Sequence, residues 1–213
     1  MNELTKRILS SVVLIGFLIC MFLYNYIFII SLIIFGSIVW IEFNHMLIKI
    51  FKTKYLKTLI SFFGLLYLFY ICWISIISIQ SNNSKIILLY CIVICVMSDI
   101  GGYVFGKTFK GKKLTKISPN KTISGLIGAF FFSLLFFIIF YQIFQNFNFV
   151  KYLIITILVS SSSQLGDIFI SYIKRKAKVK NTSDILPGHG GLLDRFDGII
   201  FGIPVGLNLA AII

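Results

Sequence analysis

Acidic residues are scarce in this chain. Only seven of its 213 residues are Asp or Glu, against 20 Lys and Arg, and the formal net charge is +13. Histidine is scarcer still, with His45 and His189 alone. The four cysteines, Cys20, Cys72, Cys91 and Cys95, form no CxxC pair, and each lies in an apolar run. A Cys/His zinc site is thereby excluded, and the thiols read as packing groups. No internal repeat, no Pro- or Ser-rich linker and no polar stretch long enough to fold alone is present, so the reading is a single membrane domain over 1–213. The abundance of Ile, Phe, Lys and Asn reads as compositional bias of the source.

What is present is hydrocarbon-compatible sequence: 58% of the residues are hydrophobic, and the mean hydropathy is +0.98. Runs near or above 18 residues with almost no charge predict membrane-spanning helices. Seven spans are expected, over about 8–24, 26–44, 57–79, 86–105, 122–144, 151–173 and 194–213. The fold class is therefore all-α and polytopic. The first run lacks a small-x-small cleavage site and is followed at once by a second, so it is expected to be a retained helix.

Threading seven spans from a cytoplasmic N-terminus leaves only Lys85 and Lys151, of the 20 basic residues, on the outer side. This is the positive-inside pattern, and it explains the sign of the charge without nucleic acid. It does not explain the clustering. Six lysines fall within 107–121 and five basic residues within 174–180. Attraction to anionic headgroups, about 1 kcal/mol per basic residue, is one reading; a polyphosphate site facing the cytoplasm is the other.

Residues 1–85 carry little within their spans besides Glu42, which ends a span near Trp40 and His45 and is read as interfacial. Residues 86–213 hold the chemistry. Asp99, Asp167, Asp194 and Asp197 all sit in or at the edge of apolar runs. A carboxylate in hydrocarbon costs at least about 2.5–3.5 kcal/mol, so such residues face a cavity or a partner. Asp184 lies in a loop and reads as solvated.

Asp194 and Asp197 are spaced i, i+3, which predicts one shared face at the start of a helix. Ser163, Asp167, Ser171 and Lys174 fall on one face of the preceding helix. Carboxylates from two helices point to Mg²⁺, alone or with a second cation, held by Asp167, Asp194 and Asp197 together with substrate phosphate oxygens. Gly188, Gly190 and Gly191 let backbone approach a ligand closely. His189 among them is a candidate donor or proton shuttle. Gly125 and Gly128 suit close helix contacts, within the chain or in a homodimer.

Gly101 to Thr108 matches G-x-x-x-x-G-K-[ST] letter by letter. A P-loop needs a preceding buried strand in an α/β domain, and this segment ends a membrane span. It is rejected as a nucleotide fold, although Lys107 stays a candidate phosphate contact.

The block Ser171-Tyr172-Ile173-Lys174-Arg175, then Lys180-Asn181, then His189-Gly190-Gly191-Leu192-Leu193-Asp194-Arg195-Phe196-Asp197 resembles the carboxyl-terminal pattern of the CTP-dependent phosphatidate cytidylyltransferases. Ser98-Asp99 through Gly106-Lys107, and Ser118-Pro119-Asn120-Lys121-Thr122, resemble earlier segments of that family. The resemblance covers roughly residues 97–200. Asn181 departs from it, standing where the family usually has Asp. The chain is also short for the family.

The resemblance implies that phosphatidate and CTP give CDP-diacylglycerol and pyrophosphate, in phospholipid synthesis at the cytoplasmic face of a bacterial inner membrane. It implies catalytic roles for Asp167, Asp194, Asp197, His189 and Lys174. Substrate contacts are implied for Asp99, Lys107, Lys121, Ser171, Arg175, Gly190, Gly191 and Arg195. Two rival readings stand beside it. A CDP-alcohol phosphatidyltransferase would account for Asp194-x-x-Asp197-Gly198, but Phe201-Gly202 stands where Ala-Arg is expected, and no acid follows Asp197. A transporter of an anionic solute would account for the intramembrane acids but not for the His-Gly-Gly block.

Overall fold

The structure is a computed structural model that describes residues 16, 20–115, 118, 121–144, 148–183, 185 and 190–212. Seven helices are described: α1 Asn25–Ile50, α2 Lys54–Ser78, α3 Asn82–Phe109, α4 Ile123–Ile143, α5 Phe149–Lys176, α6 Leu193–Phe196 and α7 Ile199–Ile212. Five of them, α1 to α5, are long and apolar enough to cross a membrane. No β-strand occurs among the described residues; Lys113 and Thr122 form an isolated antiparallel bridge. The all-α polytopic reading holds. The expected first span, 8–24, lies almost wholly outside the described residues.

The last expected span differs. The chain does not run as one helix over 194–213. It forms the single turn α6, breaks at Asp197-Gly198, and resumes as the 14-residue α7 with Pro204 inside it. Gly198 is pressed against the Ser163 hydroxyl, where a Cβ would clash. Asp197 therefore lies in a turn, and the i, i+3 spacing does not place it with Asp194 on one helix.

Contacts divide the chain into two compact units: residues 1–76 with 173–196, and residues 77–172 with 197–213.

The first unit contains α1, α2, the end of α5, and α6. Val39, Met46 and Leu47 of α1 are buried, as is Glu42, at 2% exposure. Gly36 faces the Cys72 sulfur and Gly64 faces the Phe43 ring, so the α1–α2 pair packs on small residues. Tyr55, Phe62, Phe63, Phe69 and Trp73 of α2 are exposed, as a hydrocarbon-facing helix requires. The Phe196 ring of α6 lies 5.6 Å from Phe35 of α1.

The second unit is built on a core of Tyr90, Cys91, Ile94 and Cys95 from α3, Phe137 and Phe140 from α4, and Tyr152, Ile155 and Val159 from α5. The Tyr90 ring lies 4.4 Å from Phe140 and 5.4 Å from Tyr152. Helices α3 and α4 approach backbone to backbone. A Cβ on Gly101 would collide with the Gly128 carbonyl, and one on Gly125 would come within 2.8 Å of the Gly102 carbonyl. Gly202 and Gly206 make the corresponding room for α7 against Cys95, Cys91 and Val159. Small residues replace the missing hydrophobic drive for helix association in lipid.

Caps fix where the long helices start. Ser81 accepts the Ser84 amide at 3.2 Å ahead of α3, and Thr122 accepts the Gly125 amide at 3.1 Å ahead of α4. Lys110 and Gly111 turn the chain out of α3 with φ of 50° and 114°. The Leu114 amide then donates to the Lys121 carbonyl at 2.8 Å, and the Ile123 amide to the Lys112 carbonyl at 3.0 Å. That pairing delivers Lys121 to the position just before the Thr122 cap of α4.

Candidate functional site

In the second unit, the α3–α4 connection opens a cavity of about 300 Å³. Asp99 comes from α3, Lys121 from the entry to α4, and Gln164 and Asp167 from α5. Gly102 and Gly125 form part of its wall. Lys121 Nζ lies 2.5 Å from Asp167 Oδ2 and donates to the Gln164 carbonyl at 3.4 Å. Ser171 donates to Asp167 Oδ1 at 3.5 Å, one turn further along α5. Three residues named separately from the sequence, Asp99, Lys121 and Asp167, thus line one cavity.

The polar lining continues inward. Gln164 donates toward the Ser160 hydroxyl at 3.5 Å, Ser160 to Ser98 at 3.1 Å, and Ser133 to Ser160 at 3.2 Å. Ser98, Ser133 and Ser160 are buried. Each finds its partner on a neighbouring helix, which is how hydroxyls are accommodated inside a membrane bundle.

In the first unit, Asp194 on α6 is held from several sides. Lys174 Nζ donates to Oδ1 at 2.8 Å. The Thr182 amide at 2.9 Å and the Gly191 amide at 3.1 Å donate to Oδ2, and the Thr182 hydroxyl oxygen lies 3.1 Å from it. Burial alone would push this carboxyl up. The Lys174 hydrogen bond and charge and the two backbone amides outweigh it and hold Asp194 below the usual carboxylate range. Gly190 has φ of +84°, and a Cβ there would meet Asp194 Oδ2 at 3.1 Å, so glycine is required on both counts.

Sequence reasoning missed Glu42. It is buried, and its carboxylate is met by four donors. The Leu192 amide at 3.0 Å and the Ser183 hydroxyl at 2.5 Å reach Oε1; the Leu193 amide at 2.8 Å and the Thr182 hydroxyl at 2.8 Å reach Oε2. The one available signal was that Glu42 is the sole acid between Glu3 and Asp99 in the chain.

Asp197 is 7% exposed, and its Oδ1 accepts the Gly198 amide at 2.9 Å. Lys107 lies over the Tyr103 ring, 5.6 Å from its centroid, and is exposed. Arg175 and Arg195 are also exposed. Asn181 packs beside Gly190, with its Cγ 3.4 Å from where a Gly190 Cβ would sit. His189, Gly188 and Asp184 lie outside the described residues.

Among the described residues, no three or more His, Cys, Asp or Glu side chains gather into a group that could hold a metal ion. The cavity nonetheless offers hard oxygen donors from Asp99, Asp167 and the Gln164 amide. Mg²⁺ typically takes one or two carboxylates and completes its shell with water and substrate phosphates, so this donor set fits that mode of binding.

The sequence matches the profile of the Cytidylyltransferase family over residues 2–213. It is 43% identical over 144 residues to a protein of Rickettsia typhi named phosphatidate cytidylyltransferase, covering 62% of each chain. Proteins of the same name from Staphylococcus saprophyticus and Rickettsia bellii are 42% identical over 128 residues and 44% identical over 133 residues. Those matches cover 59% and 58% of this chain, and 48% and 56% of the relatives. The chain thus spans about half to three-fifths of the length of these curated relatives.

Proposed function

The chain belongs to the Cytidylyltransferase family, and from that premise we propose that it is a membrane-embedded nucleotidyltransferase making CDP-diacylglycerol from CTP and phosphatidate. The observation that supports this most is the cavity in which Asp99, Lys121 and Asp167 meet at the ends of membrane-length helices. One substrate is a lipid and the other a soluble triphosphate, and a polar cavity among apolar helices serves both.

In the proposed reaction a phosphatidate phosphate oxygen attacks the α-phosphorus of CTP in line. A new P–O–P bond forms, the bond to the β-phosphate oxygen breaks, and pyrophosphate leaves. The nucleophile is already anionic, so no strong base is needed. Catalysis is then positioning and charge neutralisation. Lys121 supplies a cation in the cavity, while Lys174, Arg175 and Arg195 are the cations of the carboxyl-terminal block. Asp167 with Asp99 would hold Mg²⁺, which when bound offsets the charge of the nucleotide phosphates. The bacterial relatives and the distribution of basic residues support an inner-membrane location with the site open to the cytoplasm.

The test is pyrophosphate release from CTP by the purified protein in detergent, with phosphatidate and Mg²⁺, beside Asp167→Asn. Release that needs both lipid and metal, and that drops at least 100-fold in the variant, is expected, in line with the roughly 10²–10³-fold cost of removing a charge-stabilising group. A folded protein that releases none with phosphatidate would overturn the reading.

A further inference from the structure

Glu42 has no part in the reaction as drawn, yet it is among the most completely satisfied polar groups in the first unit. Its carboxylate is 2% exposed on a helix of membrane-spanning length. All four of its partners lie 140 to 151 residues further along the chain. Burying a carboxylate costs several kcal/mol unless hydrogen bonds replace its water, so the donors are matched to it. Two are backbone amides that can only donate, and they land on different oxygens, Leu192 on Oε1 and Leu193 on Oε2.

Thr182 joins this carboxylate to a second one. Its hydroxyl lies 2.8 Å from Glu42 Oε2 and 3.1 Å from Asp194 Oδ2, and its amide donates to Asp194 at 2.9 Å. Asp194 in turn holds Lys174. Gly191 fits only because it lacks a side chain: a Cβ there would collide with the Thr182 hydroxyl and come within 2.8 Å of both Glu42 oxygens. We propose that Glu42 is a positioning residue for cytidylyl transfer: it fixes Thr182 and the 191–193 backbone, and through them the Asp194–Lys174 pair. This rests on the reaction assigned above.

The side chain must be a carboxylate. In Glu42→Gln one oxygen becomes an NH₂ that faces a backbone N–H, so one of Leu192 and Leu193 loses its acceptor. The experiment measures kcat and KM for both substrates in wild type, Glu42→Gln, Thr182→Val and the double variant, at a temperature where circular dichroism shows each folded. Glu42→Gln is expected to lower kcat at least tenfold and to raise the KM for CTP at least threefold, because Lys174 is no longer held. Thr182→Val is expected to do the same to a lesser degree, and the double variant to lose little beyond Glu42→Gln. A smaller folded fraction lowers kcat alone and leaves KM unchanged, so an unchanged KM in both single variants overturns the proposal. Single losses that multiply in the double variant also overturn it. If Glu42→Gln does not fold, Thr182→Val decides by the same criterion. An inactive wild type overturns the reaction itself, which distinguishes that failure from activity in the wild type and in Glu42→Gln alike.

Discussion

Lys121 and Asp167 form an ion pair of 2.5 Å inside the cavity of the second unit, between the entry to α4 and the middle of α5. Both side chains are largely shielded, at 23% and 27% exposure. Among the described residues, this is the ion pair that neutralises a cavity carboxylate. Removing Lys121 would take this counter-charge from Asp167, which shares the cavity with Asp99. Lys121→Met is expected to reduce pyrophosphate release roughly 10²–10³-fold, and Lys121→Arg to retain more activity than Lys121→Met. Initial rates at saturating CTP test both.

Asp194 sets a pH dependence of stability. Its carboxyl is held below the ordinary value of 3.8 despite burial, chiefly by Lys174 and the Thr182 and Gly191 amides. A lowered folded-state pKa gives stability that is fully present above the unfolded value and is lost as pH falls through the folded value. The thermal midpoint of wild type should exceed that of Asp194→Asn by a constant margin from pH 7 to about 5, and the two should converge below about pH 4. A margin that persists unchanged at pH 3 would contradict this.

Tyr90 donates to Thr156. The two hydroxyls lie 2.5 Å apart, and the single Thr156 proton goes to the Tyr152 carbonyl at 2.7 Å, so the phenol must be the donor. Thr156→Val strands a buried phenol and should cost about 1–3 kcal/mol. Tyr90→Phe/Thr156→Val should recover part of that loss. Unfolding midpoints in detergent give the comparison.

The α3–α4 seam predicts a sharp contrast between neighbouring glycines. A Cβ at Gly128 would collide with Phe105 and lie 2.5 Å from the Gly101 carbonyl. Gly128→Ala should destabilise by about 1–3 kcal/mol. At Gly102 the nearest atoms are 3.7 and 3.9 Å away, so Gly102→Ala should be close to neutral. Thermal unfolding of both variants measures the difference.

The long helices were legible from run length because hydrocarbon thickness sets a minimum that α1 to α5 meet. The last span was not, because hydropathy does not register a turn at Asp197-Gly198 enforced by contact with Ser163. Asp99, Lys121 and Asp167 were legible as chemistry that apolar helices do not otherwise carry. Their convergence on one cavity depends on the Lys113–Thr122 bridge and on the glycine seam, which no periodicity encodes. Glu42 was passed over as a site residue for a related reason. A lone acid near Trp40 and His45 has the local signature of a membrane interface, and its partners lie more than 130 residues away.

One wall of the cavity is main chain. Where Gly102 and Gly125 face it, there is no side chain to enlarge, shorten or recharge. Drift in substrate preference among variants of this protein has more room at the lining side chains, such as Tyr103 of α3, Leu126 of α4, Gln164 of α5, and Leu114 and Ser118 of the α3–α4 connection. Gly125, with no room for a Cβ against the Gly102 carbonyl, acts as a fixed gauge against which those positions vary.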